Sequence, residues 1–299
     1  MLLTRVTYGH DTYVLNEHYS TAGVLDRTKV QNTVVIRQAV VSPQFRRLSE
    51  PLHVATGGTA GRVHRGMLYL RMAGAILVPD ATQLATLSDR ERAFRHAFDP
   101  AACYADSPTT EGVYPLDWSE YTTDTTNYAT GLIYVRRYGR PMTQPETAER
   151  IEDGPARNWT TVLECIDPRL YEQTEQTLTL TPASASGNAV NKGNIEAPLK
   201  ATITMAGAGN AAFTITRGGV SFILNLSTCS AGNVVVVVME TCGPYGRGKY
   251  ITKAGVEAFS LKTSAATTWL NVPVGTTSFS ISNHTNVTSC VLSWFHTRS

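Results

Sequence analysis

Apolar residues along most of this chain fall at every second position, the spacing of a half-buried strand, and a single stretch repeats at the three-and-four spacing of a helix. In Val220, Phe222, Leu224 and Leu226 the apolar side chains share one face, while Ser221, Asn225 and Ser227 mostly take the other. Cys290, Leu292 and Trp294 alternate in the same way with Ser289 and Ser293. Phe213 and Ile215 stand opposite Thr214 and Thr216, and the following Arg217-Gly218-Gly219 supplies the positive-φ positions of a tight hairpin. The run Val234 to Val238 has no alternation and predicts a central strand covered on both faces. Such segments recur about every ten residues from Gln176 onward, punctuated by Gly, Asn, Pro and Ser, which predicts an antiparallel sandwich or barrel.

The first half is mixed. Strands are predicted at Leu3 to Tyr8, Thr33 to Val41, Met67 to Leu77, Leu132 to Tyr138 and Trp159 to Ile166. Between the third and fourth, Leu84, Leu87, Glu91, Phe94 and Phe98 form a helical stripe that faces the core, leaving Arg90, Arg92 and Arg95 for solvent or a neighbour. Two starts of capping-box form compete, Asp80 with Gln83 and Ser88 with Glu91, so one helix or two short ones fit. Pro100 ends the helix because it pushes Asp99 out of the α region. Residues 105–130 and 139–158 carry no period and read as two long loops, the kind of surface that meets other chains.

The 299 residues are 42% hydrophobic and 17% charged, enough apolar content for packed cores and too little charge for a disordered chain. Charge divides the chain. From Gln176 onward there are 8 basic and 3 acidic residues, a net of +5 with no aspartate, against 18 basic and 21 acidic residues before it. Prolines at Asp167-Pro168-Arg169 and Thr181-Pro182 flank the divide, which predicts domains at 1–175 and 176–299. A whole-chain net charge of +2 lacks the basic surplus of a nucleic-acid reader, so nucleic acid is not an expected partner. The opening Met1 to Thr12 has no apolar stretch long enough for a signal peptide. The uncharged run Gly218 to Met239 is broken too often by Gly, Ser and Asn to span a bilayer. A soluble protein made in a cytoplasm is the expectation, and the sequons at Asn158, Asn225, Asn283 and Asn286 then carry no message.

Candidate chemistry is sparse. Cys103, Cys165, Cys229, Cys242 and Cys290 are widely spaced with no C-x-x-C pair and read as small buried apolar residues. His10 and His18, flanked by Asp11 and Glu17, are the closest plausible histidine pair, but their spacing in a non-helical stretch predicts surface histidines rather than a metal site. Gly57 to Arg62, between His53 and His64, superficially resembles a phosphate cradle. A strand at Met67 to Leu77, where the cradle needs a helix, reads it as a flexible loop. There is no G-x-S-x-G elbow, and no serine or cysteine has a predictable base. Carboxylates are plentiful before residue 176, but the second half holds only Glu196, Glu240 and Glu257, which makes a glycoside-cleaving pair there improbable. Tyr245, Tyr250, Phe259 and Trp269 have rings that stack on sugars, yet in a β domain such rings are expected in the core. No catalytic, cofactor-binding or metal-ligating residue is therefore expected, and no cofactor.

The order of the segments carries more than any one of them. An opening strand ending Tyr8-Gly9 is followed by Gly61-Arg62, Arg65-Gly66, the strand Leu68 to Ile76 and the helix Leu84 to Phe98. Then comes a strand from Trp159 that runs into Asp167-Pro168-Arg169-Leu170-Tyr171. This succession resembles the end of the N-terminal ring domain of distal tail proteins from long-tailed bacteriophages. The second half is similar to the galectin-like sandwich of that family at three places. These are Asn191 to Thr204, with Gly193, Asn194 and Pro198, then Leu270 to Ile281, with Pro273 and Gly275, and the closing strand Val291 to Trp294. The resemblance implies a mainly β protein with one or two helices, a β-rich ring or belt domain at 1–175 and a galectin-like antiparallel sandwich at 176–299. It implies a structural virion protein without enzymatic activity, a ring, expected as a hexamer, that joins the tail tube to the tail hub and tip. Its expected partners are itself, the tube protein and the hub or tip protein. Two other readings stand beside it: a carbohydrate-binding module for a host surface, which needs exposed aromatic rings on one sandwich face, and a glycan-degrading enzyme, which needs two carboxylates across a cleft.

Overall fold

The computed structural model describes residues 4–22, 24–29, 34–47, 63–79, 83–107, 111–147, 156–165, 167–239, 244–245, 249–263 and 268–299. The chain divides into two compact units, Met1–Pro168 and Arg169–Ser299. Both are built on antiparallel sheets, and the only two α-helices among the described residues lie in the first.

The first unit contains β1 (Val6–Tyr8), β2 (Tyr13–Leu15), β3 (Val34–Arg47), β4 (Val63–Leu77), α1 (Leu84–Ala97), α2 (Pro100–Asp106), β5 (Tyr114–Tyr121), β6 (Leu132–Pro141), β7 (Glu146–Thr147) and β8 (Ala156–Cys165). One set of strands runs β2-β1-β5-β6 and another β3-β4-β8-β7, tied where Arg140 and Pro141 of β6 pair with Glu164 and Leu163 of β8. Alternation puts Leu68, Leu70, Met72 and Ile76 of β4 on the same buried face as Trp159, Leu163 and Cys165 of β8. Gly74 stands directly opposite Trp159, and a β-carbon there would lie 2.7 Å from the indole and 1.8 Å from the Val35 carbonyl. Only glycine lets the ring and the neighbouring strand approach this closely. α1 lays its stripe over that ring: Leu87, Phe94 and Phe98 are fully buried, with Phe94 4.7 Å from Trp159. From Phe94 the aromatic contacts continue to Phe98 at 5.1 Å and on to Tyr8, stacked at 4.6 Å.

The predicted helix is thus found, with a start and a successor of its own. It begins at Leu84, without a side-chain cap, so Ser88 lies inside it. Asp80 lies outside the described residues. Pro100 ends it and then opens α2 in its first turn, with the Asp99 carboxylate accepting from the Ala101 amide at 2.9 Å. The expected loop at 105–130 contains the end of α2 and a strand. Its middle is β5, which pairs with both β1 and β6 and buries Leu116 and Trp118. The alternation Leu116, Trp118 was hidden among Thr, Asp, Tyr and Pro, and a short strand pinned by neighbours on both sides needs little propensity of its own. Of the loop expected at 139–158, residues to Pro141 belong to β6, Glu146 and Thr147 form β7, and β8 starts at Ala156.

The second unit contains β9 (Leu170–Leu180), β10 (Ser186–Asn191), β11 (Ala197–Pro198), β12 (Lys200–Met205), β13 (Phe213–Arg217), β14 (Val220–Leu224), β15 (Val234–Val238), β16 (Tyr250–Lys253), β17 (Val256–Glu257), β18 (Asn271–Val272), β19 (Gly275–Ser282) and β20 (Val287–Arg298). The expected boundary at 175/176 falls inside β9. One sheet has the order β9-β20-β12-β15-β16-β17 and a second β10-β19-β13-β14, with β11 and β18 as a small separate ladder. Their inner faces close on one core in which Phe213, Ile215, Phe222, Leu224, Phe279 and Ile281 of one sheet meet residues of the other, among them Ile203, Val235, Leu292 and Trp294. The hairpin β13-β14 turns through Gly218 and Gly219 at φ +51° and +83°, the two positive values that the sequence required. β15 is central in its sheet, between β12 and β16. It is covered less than expected: Val235 and Val237 face the core, whereas Val234 is 37% exposed.

Trp294 is buried in the sandwich, and its indole N–H donates to the Val190 carbonyl at 3.0 Å. Trp294→Ala removes both the ring and this bond between the sheets. We expect a loss of roughly 3–5 kcal/mol in denaturant unfolding of the full chain, and a loss under about 1 kcal/mol would contradict the packing described.

Candidate functional site

Sequence had placed Glu91 on the apolar stripe of α1, and the structure shows why a carboxylate is tolerated there. It is buried, accepts from Thr147 Oγ1 at 2.7 Å, and is paired with Arg95 at 3.0 Å and with Arg157 of β8. The helix is thereby pinned to the sheet edge by charge as well as by Phe94. Arg90 is not left to solvent as expected, since it donates to the Leu77 carbonyl at 2.9 Å; Arg95 is exposed while paired with Glu91, and Arg92 is the most exposed of the three, 3.5 Å from Asp89.

Both histidines of the expected surface pair are buried. His18 packs on Tyr19 at 4.5 Å, and burial lowers its pKa from the ordinary histidine value. His10 meets a different histidine, His96 of α1, at 5.6 Å between ring centres. Spacing along the chain could not show this, since the two are 86 positions apart and meet only because α1 packs beside the turn after β1.

The cysteines behave as read. Cys103, Cys165, Cys229 and Cys290 are buried free thiols, and Cys242 lies outside the described residues. Desolvation pushes Cys103 up to about 11 and Cys165 and Cys290 up to about 12, so none is a thiolate at neutral pH. The loop Gly57 to Arg62, with His53, lies outside the described residues, as does Glu240. A cleft of about 380 Å³ in the first unit is lined in part by Tyr104, Glu111, Arg140, Met142 and Glu164. Its two carboxylates both engage Arg140, Glu164 at 2.8 Å and Glu111 at 3.3 Å. Each carboxylate gives its Oε2 to Arg140, which lies between them.

The two motifs that carry the family resemblance are structural knots. In Asp167-Pro168-Arg169-Leu170-Tyr171, Asp167 and Tyr171 are buried, the Pro168 carbonyl accepts from the buried Arg137 at 3.3 Å, and Arg169 lies over the Tyr171 ring at 5.8 Å. In Asn191-Lys192-Gly193, the buried Asn191 amide donates to the carbonyls of Ile195 at 2.8 Å and Val272 at 3.2 Å and accepts from Gly193 N–H at 3.0 Å. A β-carbon on Gly193 would sit 1.8 Å from the Thr297 carbonyl, so glycine is required. Next to it the Lys192 N–H donates to His296 Nδ1 at 3.2 Å.

Of the aromatic candidates in the second unit, Trp269 packs on Phe222 at 5.0 Å and Phe259 at 5.9 Å, with the ammonium groups of Lys249 and Lys262 over its ring. In the first unit, β5 and β6 present a wetter aromatic face. Tyr121 is 69% exposed and Tyr134 44%, on the face opposite Leu116 and Trp118.

These features define a two-unit, mainly β protein. Its aromatic and charged groups hold strands together, and its exposed apolar groups are divided between strands, such as Tyr121 and Tyr134, and loops or helix, such as Met142 and Tyr104. No protein-family model matches the chain, and no curated protein matches it by sequence. Among solved structures, the Dit (gp 19.1) protein of phage SPP1, described as a paradigm of the hub adsorption apparatus in Gram-positive infecting phages, has a TM-score of 0.59 at 11% identity over 98% of each chain. The baseplate of phage P2 in its activated conformation with Ca scores 0.49 at 8% identity, and with Sr 0.48 at 7%, each over 99% of this chain and 98% of the other. The chain therefore has the Dit fold, as its motifs implied, through both units.

Two expectations follow. Glu91→Ala leaves Arg157 part-buried without its counter-ion, and should cost about 3 kcal/mol of unfolding free energy, whereas Glu91→Ala with Arg157→Met should cost clearly less than the sum of the single changes. His296 is held below the ordinary histidine value, chiefly by burial and also by Lys192 and Arg298, against the opposing pull of Glu172. The unfolded chain then binds the proton first. Stability should be full above pH 7 and fall as pH drops through about 6.5 and below. His296→Asn, whose amide oxygen can replace Nδ1 as acceptor, should flatten that fall in pH-dependent unfolding, and an unchanged slope would assign it elsewhere.

Proposed function

We propose that this chain is a structural protein of a phage tail tip, assembling as a ring that connects the tail tube to the hub or tip protein. The observation that carries this reading is the likeness to the SPP1 Dit protein through both units in the same order and over 98% of each chain. Two surface features of the first unit support it. Among the described residues β3 (Val34–Arg47) has one strand partner, β4; Asn16 closes its other edge at Val34 and Ile36, and the stretch beyond Ile36 is suited to pairing with another subunit. The Tyr121 and Tyr134 face offers large rings with little conformational entropy to lose on docking. A closed ring needs two different surfaces per subunit, and the first unit supplies both; six copies is the stoichiometry we favour. The second unit then serves as a support module. Its other use, as a carbohydrate-binding module, would draw on Phe259, which is 44% exposed, and on Trp269 beside it.

Light scattering and negative-stain images of the purified full chain test the proposal. At high concentration, or with tube or hub protein added, it should form closed rings with a mass six times that of one chain. Tyr121→Ser with Tyr134→Ser should lower the assembly constant at least about tenfold while leaving the unfolding midpoint near that of the parent. A chain that stays monomeric under all these conditions would remove the proposal.

A further inference from the structure

Among the described residues one group of histidine and carboxylate side chains has the spacing of metal ligands, and neither the assembly role nor the fold accounts for it. His10, in the turn after β1, Asp11 beside it and His96 in the last turn of α1 bring one ligand atom each within 4.8 Å of one another. Asp11 Oδ2 lies 2.8 Å from His96 Nδ1 and 3.8 Å from His10 Nδ1. These distances bracket the separation of about 3.4 Å between neighbouring ligands on a tetrahedral ion with bonds of about 2.0–2.1 Å.

The hydrogen bonding of His10 points the same way. This residue is 2% exposed. Its Nε2 faces Asp106 Oδ2 at 2.9 Å, and its Nδ1 faces the Ala97 carbonyl at 3.0 Å. Both partners can only accept, whereas a neutral imidazole has one proton to donate. If Asp106 takes the Nε2 proton, a positive species must stand between Nδ1 and the oxygens around it. A carboxylate on the far nitrogen of a ring is the outer-shell arrangement that orients metal-bound histidine. The surroundings add to the attraction. Ala97 is at the C-terminal end of α1, where the helix dipole is negative, and Asp11, Asp99 and Asp106 all act electrostatically on the adjacent Cys103. Access is open, because Asp11 and His96 are 46% and 59% exposed.

We propose that His10 Nδ1, His96 Nδ1 and the Asp11 carboxylate bind a divalent transition-metal ion of the zinc type, with water completing its shell. Two imidazoles and one carboxylate suit such an ion better than calcium or magnesium, which favour oxygen. The ion would tie the turn after β1 to the end of α1. Its role there is structural, independent of whether the chain forms a ring.

The test uses untagged full-length protein stripped with EDTA and titrated with Zn2+ in a calorimeter and with Co2+ in a spectrophotometer. One ion per chain, a rise in Tm with Zn2+, and Co2+ bands of a four- or five-coordinate site are expected. Mg2+ at the same concentration should leave Tm unchanged. His96→Ala and Asp11→Asn alter exposed side chains that the core does not need, and each should weaken binding at least about tenfold; Asp106→Asn should weaken it about 10- to 100-fold through His10. No uptake of Zn2+ or Co2+, or an affinity unchanged in His96→Ala, overturns the site and assigns the position beside His10 to a proton.

Discussion

An antiparallel sheet whose residues alternate has one apolar face, and that face must be covered by something other than water. This requirement organises both units. In the second unit a second sheet meets it, and Phe213, Phe222 and Phe279 lie against Leu292 and Trp294 across a shared core. In the first unit a single amphipathic helix meets it over β4 and β8, and there the fit depends on one contact. Trp159 lies where Gly74 leaves room, and Phe94 covers it. Any side chain at position 74 would drive the ring or β3 away.

Covering one face by a short helix has electrostatic consequences. α1 is 14 residues long, and its stripe is completed by Glu91, not by another apolar side chain. The carboxylate is acceptable only because Arg95, Arg157 and Thr147 surround it. The far end of the same helix brings its last carbonyls and His96 to the turn after β1, where three carboxylates are close by. Both of these polar clusters are thus products of where the helix lies. Neither involves the exposed tyrosines of β5 and β6, Tyr121 and Tyr134.

Strand positions were legible in the sequence wherever alternation was clean, because period two is a local property of the chain. The segments around Val220, Phe213 and Cys290 fall in β14, β13 and β20, and the Gly218-Gly219 turn has the backbone its residues demand. The helix was legible for the same reason: Leu87, Phe94 and Phe98 repeat at its own spacing and are buried. β5 was not, because its place between β1 and β6 comes from partners distant in sequence, and Thr, Asp and Tyr around it masked its two apolar residues.

The site-forming residues divide in the same way. Buried cysteines followed from their spacing and chemistry alone, and the asparagine and glycine at 191 and 193 could be read only as part of a family motif. That Gly193 is needed by the Thr297 carbonyl, more than a hundred positions on, could not. His10 was paired in sequence with His18, its neighbour along the chain, while packing joined it to His96 and Asp106. The sequence by itself determined the strands and helix whose periodicity is clean, and which of their faces are apolar, since these depend on neighbours two to four positions away. Tertiary structure alone decided which strands are adjacent, which glycines are obligatory and which polar side chains meet, because those depend on contacts between segments that the chain separates.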